Sequence, residues 1–206
     1  MHWGLIPSWA RNASIGSKLI NAQCESASDK PTFRSAFRHR RCVIPASGFY
    51  EWKKEAQRKQ PYYIERADGE PLLLAGLWEI WRDPDSTAPL ESCSILTTQA
   101  NQAMSTLHNR IPAVLEPEQC DAWLDLSCED AEQLRATVQP APEGFLEVLL
   151  RQPAREQLTT RRSGPGEGSR AVTRRRPVWP GGMIRTKPPS GLEPETCALR
   201  KRRSTD

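Results

Sequence analysis

The stretch Arg41 to Trp52, RCVIPASGFYEW, decides the fold. Arg41–Pro45 is a run of β-forming residues that Pro45 is expected to stop, because proline offers no N–H to a strand ladder. Gly48-Phe49-Tyr50-Glu51-Trp52 follows as a second short run. The same pattern repeats outward. Pro61–Glu65 (PYYIE) is a further strand, ended by Ala67-Asp68-Gly69-Glu70, which carries a hairpin signal. Leu72–Trp81 (LLLAGLWEIW) has the apolar content of a buried strand, and Cys93–Thr98 (CSILTT) is rich in β-branched residues. Helical signals are fewer. Ala100–Ser105 suits one short turn, and Ala131–Val138 suits a short helix. Glu116–Leu126 has Pro117 early, acids in its first turn, and Cys120, Trp123 and Leu124 on one face. The expected class is α+β and β-rich: a compact domain of mainly antiparallel strands with short peripheral helices, followed by a disordered tail.

Composition divides the chain at the same place. Of 206 residues, 37% are apolar, enough for a core but low for a chain that is globular throughout. Residues 1–130 carry a net charge of −3 and residues 131–206 a net charge of +7. The basic balance therefore belongs to the tail and says little about what the domain binds. From Pro140 onward the sequence is rich in Arg, Pro and Gly, and Thr159–Arg176 and Trp179–Asp206 show no apolar period. The domain is expected over 1–138. Residues 139–206 are expected as a disordered tail, or as out-of-family sequence such as a frameshift or read-through product would supply.

The six cysteines (Cys24, Cys42, Cys93, Cys120, Cys128, Cys197) form no C-x-x-C pair and, with three histidines, no metal-ligand spacing. No metal and no cofactor is called for. There is no signal-peptide pattern and no apolar run of membrane-spanning length. A reduced cytoplasmic protein, associated with the nucleoid when on DNA, and monomeric, is the expectation, with cysteines acting as small core residues.

Several residues carry possible chemistry, each beside a plainer reading. Strand alternation puts Glu51 on one face with Phe49, and Tyr50 and Trp52 on the other. A carboxylate among aromatics is desolvated toward general acid/base use, or else it is an edge-strand Glu facing Lys53 or water. His108, in TLHNRIPAVL, suits proton transfer or phosphate binding, and equally suits hydrogen bonding to its own loop. Arg110 matches a phosphate bidentately, or forms a surface ion pair. Asn21 can orient a reacting group or cap a turn. Trp3 and Trp9 flank the Gly4–Ser8 turn and can stack on a base or enter the core. Arg38 to Arg41 (RHRR), with Arg34 a turn earlier, is a dense basic cluster that tracks a DNA backbone or forms a solvated face.

In order, the chain carries WGLIPSW (Trp3–Trp9), INAxxES (Ile20–Ser26), FRxAF (Phe33–Phe37), RCxIPAxGFYEW (Arg41–Trp52), LAGLWE (Leu74–Glu79), SILTTxA (Ser94–Ala100) and HxRxPxVL (His108–Leu115). This set, over roughly residues 1–127, resembles the SOS response-associated peptidase (SRAP) family. The resemblance implies a mostly β fold with a positively charged groove for single-stranded DNA that contains abasic sites. It also implies an amino-terminal cysteine, exposed by autoproteolytic removal of the initiator methionine. Its α-amine and thiol would condense with the ring-opened aldehyde and close to a thiazolidine DNA–protein crosslink. Carried over by motif, Asn21 would position the sugar-derived chain, and Glu51 would shuttle protons. His108 would assist at the ring-opened hydroxyl or phosphate, while Trp9, Arg34 and Arg110 would contact DNA.

Two departures bear on that expectation. Gln23 stands where the family usually has Arg, and His2 follows Met1 where the family opens M-C-G-R-F. The chain is therefore expected to start inside the domain and to lack the nucleophile, through a misassigned start or gene decay. A catalytically inactive single-stranded DNA-binding remnant is the alternative to an abasic-site processing enzyme. A thiol protease is the weaker third reading, since Cys42 and Cys93 fall in expected strands.

Overall fold

A computed structural model of the protein describes residues 1–55, 58–83, 86–150 and 184–185. Within them, an eight-stranded sheet lies between a layer of short helices and a three-stranded sheet.

The large sheet is organised on β6 (Leu72–Arg82) and β7 (Pro89–Gln99), an antiparallel pair of 11 residues each. β3 (Arg41–Ala46) pairs antiparallel with β6, while β8 (Arg110–Pro112) and β9 (Val114–Leu115) add antiparallel to β7 and β6. β1 (His2–Trp3) and β2 (Asn21–Gln23) instead run parallel to β7, so the sheet is mixed. Between them the chain makes a 3-10 helix, Ala13–Lys18, capped by the Asn12 side chain on the Ser14 N–H. Gly4 makes this turn possible. Its φ is +118° and a Cβ there would sit 2.4 Å from the Gly16 carbonyl oxygen, so two backbones touch where no side chain fits.

The small sheet has the order β10–β5–β4, with β4 at Phe49–Glu55, β5 at Arg58–Arg66 and β10 at Leu146–Leu150. The helices are α1 (Cys24–Ala27), α2 (Arg34–His39), α3 (Gln102–Ser105), α4 (Pro117–Leu124) and α5 (Ala131–Thr137). α4 starts with a capping box, Glu116 and Gln119 exchanging side-chain and backbone hydrogen bonds, and carries Pro117 in its first turn.

Alternation along the large sheet makes two cores. One face sends Val43, Ala75, Leu77 and Leu96 into a cluster with Phe37, Trp123 and Leu134 of the helical layer. The other sends Ala46, Leu72, Leu74 and Val114 into a cluster with Ile64 and Leu146 of the small sheet.

Four expectations change. Pro45 does not end its strand: Trp78 N–H donates to Arg40 O, and ladder groups alternate, so the missing Pro45 N–H falls on the side away from β6. The turn at Ala67–Gly69 is present, with Gly69 at φ +78°, but it joins no hairpin. β5 belongs to the small sheet and β6 to the large one, whose two edges of β6 are already taken by β3 and β7. The expected domain limit at 138 falls short, because β10 pairs with β5 and Ala141 and Leu146 are core residues. The basic cluster is a solvated face only in part, since Arg34 and Arg38 are exposed and the other two arginines are not. Arg41 is fully buried, and Arg40 is held by Glu79 at 2.7 Å and by Ser35. Ile184–Arg185 form β11, antiparallel to β3; residues 151–183 and 186–206 of the expected disordered tail, with Cys197, lie outside the described residues.

Candidate functional site

Glu51 sits on β4 opposite Tyr62 of β5, and Phe49 is opposite Ile64. Phe49, Tyr62 and Ile64 all belong to the cluster between the sheets, so alternation turns Glu51 toward the large sheet. Glu51 is half-buried, at the rim of that apolar layer. Tyr50 and Trp52 point the other way and are exposed, as the sequence pattern expects, with ring centroids 6.2 Å apart.

Asn21 opens β2 and is the lateral partner of Ile95. It is the first residue of its strand. Residues opposite one another in a ladder share a face, so Asn21 projects on the Ile95 side of the sheet. Ile95 packs against the inter-sheet cluster, while Asn21 itself is exposed. Ala22, one step on, faces the helical core and is 1% exposed.

His108 follows Leu107, which also packs on the inter-sheet cluster, and is exposed in the turn that enters β8. Its Nδ1 lies 2.8 Å from Arg110 O and 3.1 Å from Arg110 N. Both hydrogen bonds cannot form at once, because the first needs Nδ1 protonated and the second needs its lone pair. In either tautomer Arg110's backbone engages Nδ1, and Nε2 is the nitrogen left for chemistry.

The Arg110 side chain is tied down from two directions. Nε donates to Thr97 Oγ1 at 3.2 Å and Nη2 to the Thr97 carbonyl. Nη1 and Nη2 donate to Glu25 Oε1 and Oε2 at 3.2 and 2.8 Å. Glu25 stands on α1, immediately after β2, so this pair links the strand of Asn21 to the loop of His108 across β7. Burial raises the Glu25 carboxyl, but Arg110's hydrogen bonds, one from Glu25's own backbone N–H, and Arg110's charge together outweigh it and hold the group below the usual carboxylate range. The neighbouring Cys24 thiol is pushed up to about 11, first by burial and then by the Glu25 charge. Such a thiol is inert at neutral pH. Cys42 and Cys93 are likewise buried, with no disulfide among the described residues.

Asn21, Glu51 and His108 thus come from three distant segments and ring one apolar cluster, through Ile95, Phe49 with Tyr62, and Leu107. Trp9 and Arg34 are placed elsewhere. Trp9 is 60% exposed in the turn whose buried members Ile6 and Ala10 pack on Trp81. That is near the β6–β7 connection, about 17 Å along β7 from Ile95 at ~3.3 Å per residue. Arg34 is exposed on α2, in the helical layer on the opposite face of the sheet. Two further residues lie near the trio: Trp3, which the sequence offered for base stacking or the core, and Glu25, which it did not single out. Trp3, 56% exposed, pairs with Cys93 and donates its indole N–H to Ile20 O beside Asn21 at 2.9 Å. Glu25 is the acid of the INAxxES motif, and its fixed place in that motif was the signal available. Among the described residues, no group of three or more His, Cys, Asp or Glu side chains is arranged to hold a metal ion. No helix there is long and apolar enough to cross a membrane.

The family model for SOS response associated peptidase (SRAP) matches residues 1–151. The chain belongs to the SRAP family. The match passes residue 138 and includes β10, in agreement with the sheet pairing. Among SRAP relatives, the abasic site processing protein YoqW of Bacillus subtilis is 40% identical over 141 residues, 68% of this chain and 62% of that protein. The abasic site processing protein YedK of Escherichia coli is 34% identical over 137 residues, 66% of this chain and 59% of that one. A Bacteroides thetaiotaomicron protein of known crystal structure superposes with a TM-score of 0.69 at 30% identity, covering 73% of this chain and 67% of that one. A Bordetella bronchiseptica protein gives 0.65 at 29% identity, covering 73% and 75%. This SRAP chain spans about 62% of the length of the first curated relatives it matches.

Proposed function

We propose that this chain is the DNA-facing portion of an abasic-site processing protein, binding single-stranded DNA and holding a ring-opened abasic site among Asn21, Glu51 and His108. The observation that carries the reading is their convergence on the rim of one apolar cluster, with the Glu51 carboxylate half-buried there and Asn21 and the His108 imidazole exposed to solvent beside it. SRAP membership and the naming of relatives as abasic site processing proteins support it.

The residue types fit the chemistry. Condensation of an amine with an aldehyde loses water, which requires a proton delivered to the carbinolamine hydroxyl and another taken from nitrogen. Glu51 is the group for that shuttle, since it is the carboxyl that alternation turns toward the rim of the apolar cluster. His108 Nε2 can protonate the sugar ring oxygen as its bond to the anomeric carbon breaks and the anomeric hydroxyl gives up its proton to water, because Nδ1 is committed to Arg110. Asn21 offers an amide that donates and accepts at once, which suits a linear aldehyde whose carbonyl and hydroxyls must be oriented. Arg110 is the phosphate contact nearest the trio, and Trp9 is an exposed contact for DNA that continues past it, whereas Arg34, on the opposite face of the sheet, meets DNA only if the strand wraps round the edge. The crosslink requires a cysteine with a free α-amine. The nitrogens of internal cysteines are acylated, so none of the six meets that requirement.

Fluorescence anisotropy with labelled single-stranded DNA, with and without one abasic site, tests the binding half. Single-stranded DNA should bind more tightly than duplex of equal length, and indifference between the two would overturn the reading. In a version beginning Met-Cys, Glu51→Gln should slow appearance of the heat-stable crosslink at least tenfold, since general acid–base catalysis contributes about 10²–10⁴-fold. Unchanged kinetics would remove Glu51 from the mechanism.

A further inference from the structure

We propose that Glu25 is an internal stand-in for a DNA phosphate: its carboxylate occupies the edge of Arg110 that a phosphodiester needs, and single-stranded DNA binds by displacing it. The inference rests on Arg110 being a phosphate contact, as above, and adds how that contact is guarded.

Donor accounting leads to it. A guanidinium has five N–H groups. Thr97 takes the Nε–H and one Nη2–H, through its hydroxyl and its carbonyl. Glu25 takes one hydrogen from each terminal nitrogen in a two-pronged contact. One Nη1–H remains, too little to hold an incoming phosphate by two bonds. Carboxylate and phosphate present the same paired oxygens to this fork, so the two anions compete for one seat.

The two partners are not equally free to leave. Arg110's side chain is 20% exposed and stays anchored on β7 by Thr97, whereas Glu25's is 50% exposed. The α1 backbone is fixed by buried Cys24 and Ala27, so displacement needs only a rotation of the Glu25 side chain into water. A half-exposed ion pair is a weak lock, which suits a contact that must exchange. Burial favours an uncharged Glu25; Arg110's hydrogen bonds, one from Glu25's own backbone N–H, and Arg110's charge together reverse that, so a large part of what holds the carboxylate charged is the pair itself. An uncharged ligand cannot outcompete it. The guard therefore makes engagement at Arg110 conditional on an anionic backbone, and it keeps the guanidinium aligned until one arrives.

Titration of labelled single-stranded DNA against the 206-residue chain over a salt series tests this with Glu25→Ala, Glu25→Gln, Arg110→Gln and the double variant Glu25→Ala/Arg110→Gln. Glu25→Ala should bind about 3- to 10-fold tighter at low salt, with a log–log salt slope steeper by ~0.7 for the single-strand phosphate contact released. Glu25→Gln should shift in the same direction by less, because its amide oxygen still accepts from Arg110. Arg110→Gln should weaken binding, and Glu25→Ala should gain nothing in that background. Unchanged or weaker binding by Glu25→Ala, alongside a loss in Arg110→Gln, overturns the guard and leaves the phosphate contact standing. A gain that persists without Arg110 reflects simple removal of negative charge and also overturns it. Arg110→Gln without effect removes the phosphate contact, and the guard with it.

Discussion

Replacing Arg41 by lysine should cost the domain several kcal/mol, although it conserves the charge. Arg41 is fully buried on β3 and faces the helical layer with no carboxylate in hydrogen-bond contact. Its acceptors are all backbone carbonyls: Trp123 at 2.6 Å, Phe37 at 2.9 Å, Cys128 at 3.3 Å, and those of Arg38 and Asp125. These are the unsatisfied carbonyls at the carboxy-terminal ends of α2 and α4 and in the connection to α5. One guanidinium thus caps two helices, and it also lies 5.6 Å from the Trp123 ring centroid. Its pKa is pushed down by burial and held up by the charges around Asp125 and Glu129, whose field supplies part of the missing counter-charge.

Lysine brings three donors to a single point and cannot span both helix ends. At least two of the five bonds are lost, and hydrogen bonds to a charged donor are worth about 1.5–3 kcal/mol each. The expected loss is therefore about 3–6 kcal/mol, which at ~2–4 °C per kcal/mol for a domain of this size lowers Tm by about 6–24 °C. Thermal and urea unfolding followed by circular dichroism measure it. A melting temperature for Arg41→Lys within about 3 °C of the parent would refute the reasoning, because it would mean the carbonyls find other donors at little cost. Arg41→Met separates two terms of opposite sign. It relieves the desolvation of a buried charge, several kcal/mol, but strands the Phe37 and Trp123 carbonyls at about 1–3 kcal/mol each.

Three further outcomes follow from named contacts. Gly4→Ala should destabilise by more than about 1 kcal/mol, since a left-handed φ and the Gly16 backbone both oppose a methyl group; an unchanged Tm would argue against the close approach. Trp9→Ala should weaken single-stranded DNA binding roughly 5- to 150-fold if one base stacks on it, at ~1–3 kcal/mol per base, without lowering Tm; equal affinity would place the DNA elsewhere. Cys24 has a folded pKa of about 11, above its unfolded value, so the stability tied to its proton is complete below pH 9 and lost as pH rises toward 11. Unfolding measured from pH 8 to 11 should therefore steepen in pH dependence with Cys24 present and flatten in Cys24→Ala. Parallel profiles would mean that other groups control the alkaline limit.

The strands were legible because their signals are local. Arg41–Pro45, Phe49–Trp52, Pro61–Glu65, Leu72–Trp81 and Cys93–Thr98 each announce a strand through β-branched or alternating residues, and each is one. The partners of those strands were not legible. Asp68-Gly69 looks like a hairpin turn because its backbone chemistry is that of one, yet Ile64 before it and Leu72 after it enter one cluster from two different sheets. LEVLL at Leu146–Leu150 was lost in the Pro-rich composition around it, since five residues weigh little in a window and their pairing with β5 is remote in sequence. The basic run Arg38–Arg41 misled for a related reason. Charge is read from composition, but whether an arginine meets solvent or helix-end carbonyls depends on which layer covers its strand.

The site residues show the same division more sharply, and β7 explains it. Asn21, Glu51 and His108 have no local pattern in common, and nothing in their spacing places 21 beside 108. What joins them is register. Ile95 sets Asn21, Thr97 anchors Arg110, and Gln99 pairs with Arg110 two residues beyond His108. One strand therefore lays out, at alternate residues on one face, the apolar floor and the polar rim. Glu51 joins from the second sheet because Phe49 and Tyr62 pack on that same floor. It follows that substitutions along the odd-numbered face of β7 should disturb the trio together, whereas substitutions of Leu96, which faces the helices, should act through stability alone. Ile95→Ala and Leu96→Ala, compared for single-stranded DNA affinity under conditions where both remain folded, put that division to the test. Equal effects on affinity would show that the face of β7 does not organise the site.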